Sequence, residues 1–180
     1  MLTIKTPATE MFYEKTQEFY SIPEASIKLE HSLHSVDLWE SKHKKSFLSF
    51  NDKTEEDFRD YIRCMTLNRD EVNPLAFLLI NEEQIKEIEA YMNDSMTATK
   101  FNKKRKPSSQ FITSEMIFSW MAAAHIPFEC QYWHLNKLLT LIEACAETNN
   151  PDKKKIPKAD VASRYRELNR ARRLKHGSRG

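Results

Sequence analysis

The spacing of hydrophobic and polar positions changes near residue 32. Before that point, apolar residues alternate with polar ones in residues 2–4 and 27–29, and residues 18–22 form an aromatic stretch that favours strands. This alternation predicts a small N-terminal antiparallel β unit over residues 1–31. A unit of two or three short strands is marginally stable alone, so we expect it to pack against the helices that follow.

Residues 32–92 carry apolar side chains three and four positions apart, which indicates amphipathic helices. Thr54 with Asp57, and Asn81 with Gln84, have the spacing of N-terminal capping boxes. The segment therefore predicts a first helical block, whose opening helix has a single apolar face formed by Leu33, Val36, Trp39, His43 and Phe47.

The second half of the chain divides into three predicted segments. Residues 93–110 have few apolar side chains and predict a flexible basic linker. Residues 111–150 are strongly apolar and predict a helical hairpin, with its corner at Pro127 because proline lacks the amide donor that a helix needs. Residues 151–180 predict a basic C-terminal helix or tail.

Together these patterns predict a mainly α protein. A small antiparallel β unit packs on a helical body, a basic helix follows, and the whole forms one compact domain. The 180-residue length, the 40% hydrophobic residues and the 30% charged residues agree with a globular chain. No apolar run approaches the ~20 residues that span a bilayer, and the N-terminus lacks the pattern of a secretion signal, so we expect a cytosolic protein.

Glycine is almost missing from the chain. It occurs only at Gly177 and Gly180, whereas phosphate-binding loops, dinucleotide-binding turns and the nucleophile elbow of hydrolases all require glycines at fixed spacings. None of these motifs is present in the sequence. The missing glycines also make tight two-residue hairpin turns improbable, since those turns need positive φ angles.

Histidine and cysteine spacing indicates neither a metal site nor a catalytic site. His125, Glu129, Cys130 and His134 lie close in sequence, but Pro127 interrupts the set and the spacing matches no zinc motif. Cys130 and His134 lack a designated orienting group or oxyanion site. We therefore predict no catalytic residue, no metal and no cofactor, and we expect the three cysteines to be free thiols.

Charge is distributed unevenly along the chain. Residues 153–180 carry a net charge of +9, against −7 for residues 1–152. Such a tail can neutralise phosphates, dock on an acidic protein surface or keep the protein soluble. The predicted basic patch consists of Lys153, Lys154, Lys155, Arg164, Arg166, Arg170, Arg172 and Arg173.

Large aromatic side chains occur in both helical blocks. Most such residues pack in cores, but an exposed subset can anchor the helix of a partner protein. The candidate protein-binding residues are Trp39, Phe47, Trp120, Phe128, Tyr132 and Trp133.

Several segments between residues 37 and 173 resemble a family of tailed-bacteriophage proteins from the virion structural module. They are Asp37–Leu48, Asp60–Thr66, Met96–Thr99, Ile126–Gln131, Trp133–Ile142 and the closing Arg166–Arg173. Some tail assembly chaperones carry a tryptophan-led leucine helix, which Trp133, Leu135, Leu138 and Ile142 resemble. The run Lys103–Lys106 departs from the family pattern, because it is more basic.

The resemblance implies a non-enzymatic tail assembly chaperone in the host cell cytoplasm. Its partners would be the long helical tape measure protein and tail-tube subunits, whose apolar helix faces it would mask before assembly. Self-association, and nucleic acid binding through the basic tail, remain open, and no membrane is implied. One alternative is a structural protein of the virion, in the tail or connector. The other is a phage-encoded inhibitor of a host defence or nucleic-acid-binding protein.

Overall fold

The computed structural model describes residues 1–15, 17–49, 53–99, 111–149, 165–170 and 172. The chain divides into two compact units, Met1–Ala146 and Glu147–Gly180. The elements of the described residues, in chain order, are β1 (Leu2–Thr6), β2 (Thr9–Tyr13), β3 (Glu18–Ile22), β4 (Ala25–Leu29), α1 (Leu33–His43), α2 (Glu55–Met65), α3 (Glu82–Asn93), α4 (Ser114–Ala123) and α5 (Leu135–Thr148), with short 3-10 segments at Arg69–Glu71, Pro74–Leu79 and Phe128–Tyr132. The fold is therefore mainly α with a small antiparallel β part at its N-terminus, as the sequence predicted.

The β part forms one long antiparallel ribbon with an interruption. Strand β1 pairs with β4 and β2 pairs with β3, and the same register runs through both ladders, from Leu2 opposite Leu29 to Tyr13 opposite Glu18. The ladders are separated at Pro7 and Pro23, which lack the N–H group that a ladder requires. The sequence predicted a small antiparallel β unit of two or three strands; the described residues of this unit form four strands, and neither β2 nor the two separate ladders was predicted.

The two ladders turn opposite faces toward the protein. In the β1–β4 ladder the buried face carries Ile4 and Ile27, which are even-numbered on the first strand and odd-numbered on the second. In the β2–β3 ladder the core-facing residues are Met11 and Ile22, so the parity is reversed. Because side chains alternate between faces along a strand, the ribbon exchanges its inner and outer faces across the proline interruption.

Local capping signals begin the helices where the sequence placed them. Thr54 with Asp57 and Asn81 with Gln84 form the two predicted capping boxes, and Thr113 caps α4. A further capping box, Ser32 with Ser35, begins α1. These side chains accept hydrogen bonds from amides in the first turn, which have no partner within the helix.

Residues other than glycine take up the left-handed conformation in this chain. Gln17, Lys44, Met96 and His125 have φ angles of 55°, 55°, 48° and 53°. Lys44 ends α1, and Gln17 closes the four-residue connection between β2 and β3, which replaces the tight two-residue turn. Each such residue costs roughly 1–2 kcal/mol relative to glycine.

Two details of the predicted helices are corrected. Helix α1 ends at His43, so Phe47 lies beyond it, although its side chain is still buried. The predicted hairpin of residues 111–150 is not a simple helix pair: a 3-10 turn at Phe128–Tyr132 precedes α5, and α4 makes its main backbone contacts with α1 and with that turn. Among the described residues, no helix has the length and apolarity needed to cross a membrane.

Candidate protein-binding site

Trp39 and Phe47 belong to the core and are not available as surface anchors. Trp39 is fully buried, its ring stacks on His43 at 4.2 Å between centroids, and its indole N–H donates to the Asp57 carbonyl at 3.2 Å. Phe47 stacks on Tyr61 at 3.7 Å between centroids. The prediction that these two residues bind a partner is therefore corrected: Trp39 packs α1 against α2 and Phe47 packs on Tyr61 of α2, which leaves almost none of either ring exposed.

Three other predicted aromatic residues are exposed and close together in sequence. We call Phe128, Tyr132 and Trp133 the turn cluster; their side chains are 52%, 56% and 41% exposed. Trp120 of α4 is half-buried and packs against the core. Exposed aromatic rings of this size are costly to leave in water, so three of them in one short turn indicate a contact surface.

The turn cluster is held in place from both sides. The Phe128 ring lies 6.1 Å from that of Phe118 on α4, and the Tyr132 ring lies 5.1 Å from that of His34 on α1. Lys137 places its ammonium 4.6 Å from the Trp133 ring centroid. Each of the three rings therefore has a contact with a residue of a neighbouring helix, which reduces the side-chain entropy that binding would cost.

A cavity of about 370 Å³ adjoins Tyr132. It lies where β4 meets α1 and where α2 ends, and a volume of this order is enough for a large side chain or a small ligand. Its walls mix apolar and charged groups: Glu30, Ser32, His34, Ser35, Cys64, Met65, Thr66, Leu67, Arg69, Asp70 and Tyr132.

A buried polar network fixes the backbone behind this cavity. His31 Nδ1 and the Tyr61 hydroxyl are hydrogen-bonded at 2.6 Å, and the His31 carbonyl accepts from the Leu135 amide at 2.7 Å. His134 lies beside His31, with 5.3 Å between ring centroids, and its Nε2 is hydrogen-bonded to the Tyr91 carbonyl. The network therefore joins His31, just before α1, to the start of α5, just after the turn cluster.

Burial keeps both histidines neutral. It lowers the pKa of His31 to about 3, with a further contribution from neighbouring His134, and it also lowers the pKa of His134. Burial likewise raises the pKa of the Tyr61 hydroxyl well above its usual value. These groups act as fixed hydrogen-bond partners at neutral pH, because a charged imidazole in this setting would lose its hydration.

Cys64 is the cysteine that lines the cavity. Burial raises the pKa of its thiol, and nearby Asp60 adds to this effect. A thiol with a raised pKa is a weak nucleophile, since the thiolate is the reactive form. Among the described residues, no three His, Cys, Asp or Glu side chains are grouped so that they could hold a metal ion.

Part of the predicted basic patch can be placed. Arg166, Arg170 and Arg172 are exposed, and residues 165–170 have helical backbone. Their neighbours Tyr165 and Leu168 are 66% and 51% exposed. The rest of the patch, Lys153, Lys154, Lys155, Arg164 and Arg173, lies outside the described residues, as does most of the linker at 100–110.

Sequence reasoning missed a second group of exposed aromatic residues. Phe12, Tyr13, Phe19 and Tyr20 on β2 and β3 are 44%, 44%, 72% and 41% exposed. The signal was present in the sequence, because adjacent aromatic residues on consecutive positions of a strand must point to both of its faces. No single packed face can cover all four of them.

Comparisons with known proteins give this chain no relative: no protein-family model, no curated protein and no solved structure matches it.

Proposed function

We propose that this protein is a non-enzymatic assembly chaperone of a bacteriophage tail, acting in the host cytoplasm. The observation that carries the proposal is the turn cluster, three exposed aromatic side chains within six residues, of which Tyr132 also lines the cavity. Its partner is an apolar helix face of the tape measure protein or of tail-tube subunits. The sequence segments that resemble phage tail-module proteins supply the identity of this partner.

The geometry around Tyr132 supports one binding mode for this partner. A partner helix lies along Phe128, Tyr132 and Trp133, and one of its side chains enters the adjoining cavity. His34 and Phe118 support the rings from behind, so the surface does not collapse when the partner leaves. A chaperone needs this reversibility, since the covered helix must later be released into the tail.

A pull-down tests the proposal. The chain is co-expressed with the tape measure protein, either unchanged or with Phe128→Ser, Tyr132→Ser and Trp133→Ser together. We expect retained partner to fall by about tenfold or more, because a single interface hot spot contributes about 2 kcal/mol. The control carries Leu78→Ser and Phe111→Ser, which remove exposed apolar side chains elsewhere and should leave binding unchanged.

Purified virions separate the chaperone from a structural component. A chaperone is released before the tail is complete, so the protein should be missing from washed particles but abundant in the infected-cell lysate. Its presence in virions at a fixed copy number would favour a structural role in the tail or connector.

The tail supports a second candidate, binding of nucleic acid or of an acidic host protein. Its net charge of +9 and its exposed Arg166, Arg170 and Arg172 carry this reading. DNA affinity that falls steeply with salt in the intact chain, and is lost when residues 153–180 are removed, would favour nucleic acid binding over the chaperone function.

A further inference from the structure

The distal half of the ribbon is a second exposed surface, separate from the turn cluster. We call residues 9–22 the aromatic arm; it comprises β2, β3 and their connection. The Phe12 and Phe19 rings pair across the two strands at 4.9 Å between centroids, and those of Tyr13 and Tyr20 meet edge to face at 6.4 Å. The strands thus keep their aromatic side chains ordered although they remain exposed to water.

The aromatic residues lie on both faces of the arm. Phe12 is directly opposite Phe19, which places this pair on one face. Met11 is opposite Tyr20 and Tyr13 is opposite Glu18, which places both tyrosines on the other face. A helix docking on the arm would cover one face only, whereas a strand added at its edge sends alternate side chains to both faces.

The edges of the arm differ from those of the β1–β4 ladder, which we call the proximal ladder or the proximal half of the ribbon. Beside β4, the Lys28 carbonyl accepts from the Leu67 amide and the Lys28 amide donates to Asn68. Beside β1, Gln84 donates to the Lys5 carbonyl. Within the described part of the chain, β2 and β3 pair only with each other. Their outer backbone groups are thus available to a further strand.

The net charge of the arm favours one class of ligand at this edge. The arm carries Glu10, Glu14 and Glu18 against Lys15, a net charge of −2. Two arms of separate copies would bring like charges together, which is unfavourable at close range. A basic segment gains attraction from the glutamates, and its Lys or Arg side chains can also lie over the aromatic rings.

We propose that the aromatic arm binds an extended basic segment of another protein as a third β-strand. Backbone hydrogen bonds at the edge provide affinity, the aromatic rings on the two faces take alternate side chains, and the glutamates select a basic sequence. This surface shares no residue with the turn cluster, so each proposal can fail without the other.

Fluorescence anisotropy with labelled peptides tests the proposal. The probe is a ten-residue peptide of alternating Val and Arg, compared with a peptide of alternating Val and Glu and with the Val–Arg peptide N-methylated at every residue, which leaves neither edge with an amide donor. We expect the plain Val–Arg peptide to bind at least tenfold more tightly than either of the others. Equal binding of the N-methylated peptide would overturn strand addition, and equal binding of the Val–Glu peptide would overturn the charge selection.

Matched protein variants locate the binding to the arm. Phe12→Thr with Phe19→Thr should weaken Val–Arg binding at least tenfold, while Leu78→Thr should not change it. Replacing Glu10, Glu14 and Glu18 by Gln should reduce the salt dependence of binding, and the same change at Glu82, Glu83 and Glu87, which are exposed on α3, should have a smaller effect. If the exchange on α3 has the larger effect, the proposal fails.

Analytical ultracentrifugation of the unlabelled protein closes the test. The intact chain should sediment as the same species as the Phe12→Thr, Phe19→Thr variant. A dimer that dissociates in this variant would identify a second copy as the occupant and overturn the proposal.

Discussion

The two halves of the N-terminal ribbon, the proximal β1–β4 ladder and the distal β2–β3 ladder, are both antiparallel strand pairs, but the first is buried on one face and the second is largely exposed. In the proximal half, Ile4, Ile27 and Leu29 are almost fully buried, and both outer edges bond to other segments. In the distal half, Phe12 and Phe19 point to solvent and the edges pair with no other described strand. Pairing alone therefore does not decide burial; the proximal half is buried because helices pack over one of its faces.

Side-chain pattern explains the difference. The proximal strands alternate apolar and polar residues, so one face suffices to bury Ile4 and Ile27. The arm has aromatic residues at consecutive positions, Phe12 with Tyr13 and Phe19 with Tyr20, and no single neighbour can cover both faces. We infer that the proximal half serves folding and the distal half serves binding.

The largest expected effect is a loss of stability when a buried side chain of the β1–β4 ladder is truncated. Ile27→Ala removes a fully buried side chain and should lower the free energy of unfolding by about 2–5 kcal/mol. Phe19→Ala deletes a larger side chain from the arm but should lower it by less than about 1 kcal/mol. Urea unfolding of both variants measures the contrast, and equal losses would mean that the arm is part of the folding core.

Removing one buried hydroxyl, from Tyr61 of α2, and one exposed hydroxyl, from Tyr20 of the arm, gives a matched pair of variants. Tyr61→Phe deprives buried His31 of its partner and should lower the free energy of unfolding by about 1–3 kcal/mol. Tyr20→Phe removes an exposed hydrogen bond to Glu18 and should have almost no effect. Thermal unfolding of the two variants is the measurement, and a larger effect at Tyr20 would contradict the comparison.

Acidification should lower the free energy of unfolding through His31, which lies between β4 and α1. Its pKa is about 3 in the folded protein and 6.5 as the reference for the unfolded chain. As pH falls below 6.5, the unfolded state binds the proton first, so stability is lost by up to about 1.4 kcal/mol per pH unit. His134 acts in the same direction, because its pKa is also lowered.

Urea titrations at pH 7.5, 6.0 and 5.0 measure this slope. His31→Gln should flatten it, even if the variant is less stable at pH 7.5, because glutamine does not titrate. Burial raises the pKa of Asp60, but hydrogen bonds from His43 and Lys42 lower it more, so its pKa lies below the reference value of 3.8. Asp60 should therefore begin to lose its stabilising effect only when the pH falls to about 3.8. An unchanged slope in His31→Gln would exclude His31 as the source.

The smallest expected change is a gain in stability. Among the described side chains, the Thr6 hydroxyl is buried at the end of the proximal ladder and has no hydrogen-bond partner. Thr6→Val keeps the shape and removes the unpaired group, which should raise the free energy of unfolding by about 1 kcal/mol. Thr9→Val, at the less buried start of the arm, is the control and should change it little. A stability loss in Thr6→Val would show that the hydroxyl has a partner, such as a bound water.

Local signals in the sequence were sufficient for much of the fold. The capping boxes at Thr54 and Asn81 act within one helical turn, so their residues identify the helix starts without reference to the rest of the chain. The span of the β unit followed from its alternation. The end of α1 was placed too late, because Phe47 continues the helical spacing while the backbone has already turned at Lys44.

The candidate site was less accessible to sequence reasoning. Trp39 and Trp133 both lie among apolar residues at helical spacing, yet the first is fully buried and the second is 41% exposed. The cavity beside Tyr132 brings together residues from distant parts of the chain, including Glu30, Cys64 and Arg69. No local pattern encodes such a meeting.

By itself, the sequence determined the near-absence of glycine, the helix starts, the N-terminal β unit and the uneven charge, because composition, caps and alternation act over a few residues. Only the tertiary structure decided which aromatic residues are covered and which ladder of the ribbon is buried. Burial depends on whether a distant element packs over a given face, as α2 does for Trp39. The turn cluster and the aromatic arm are exposed because, within the described residues, no element covers them.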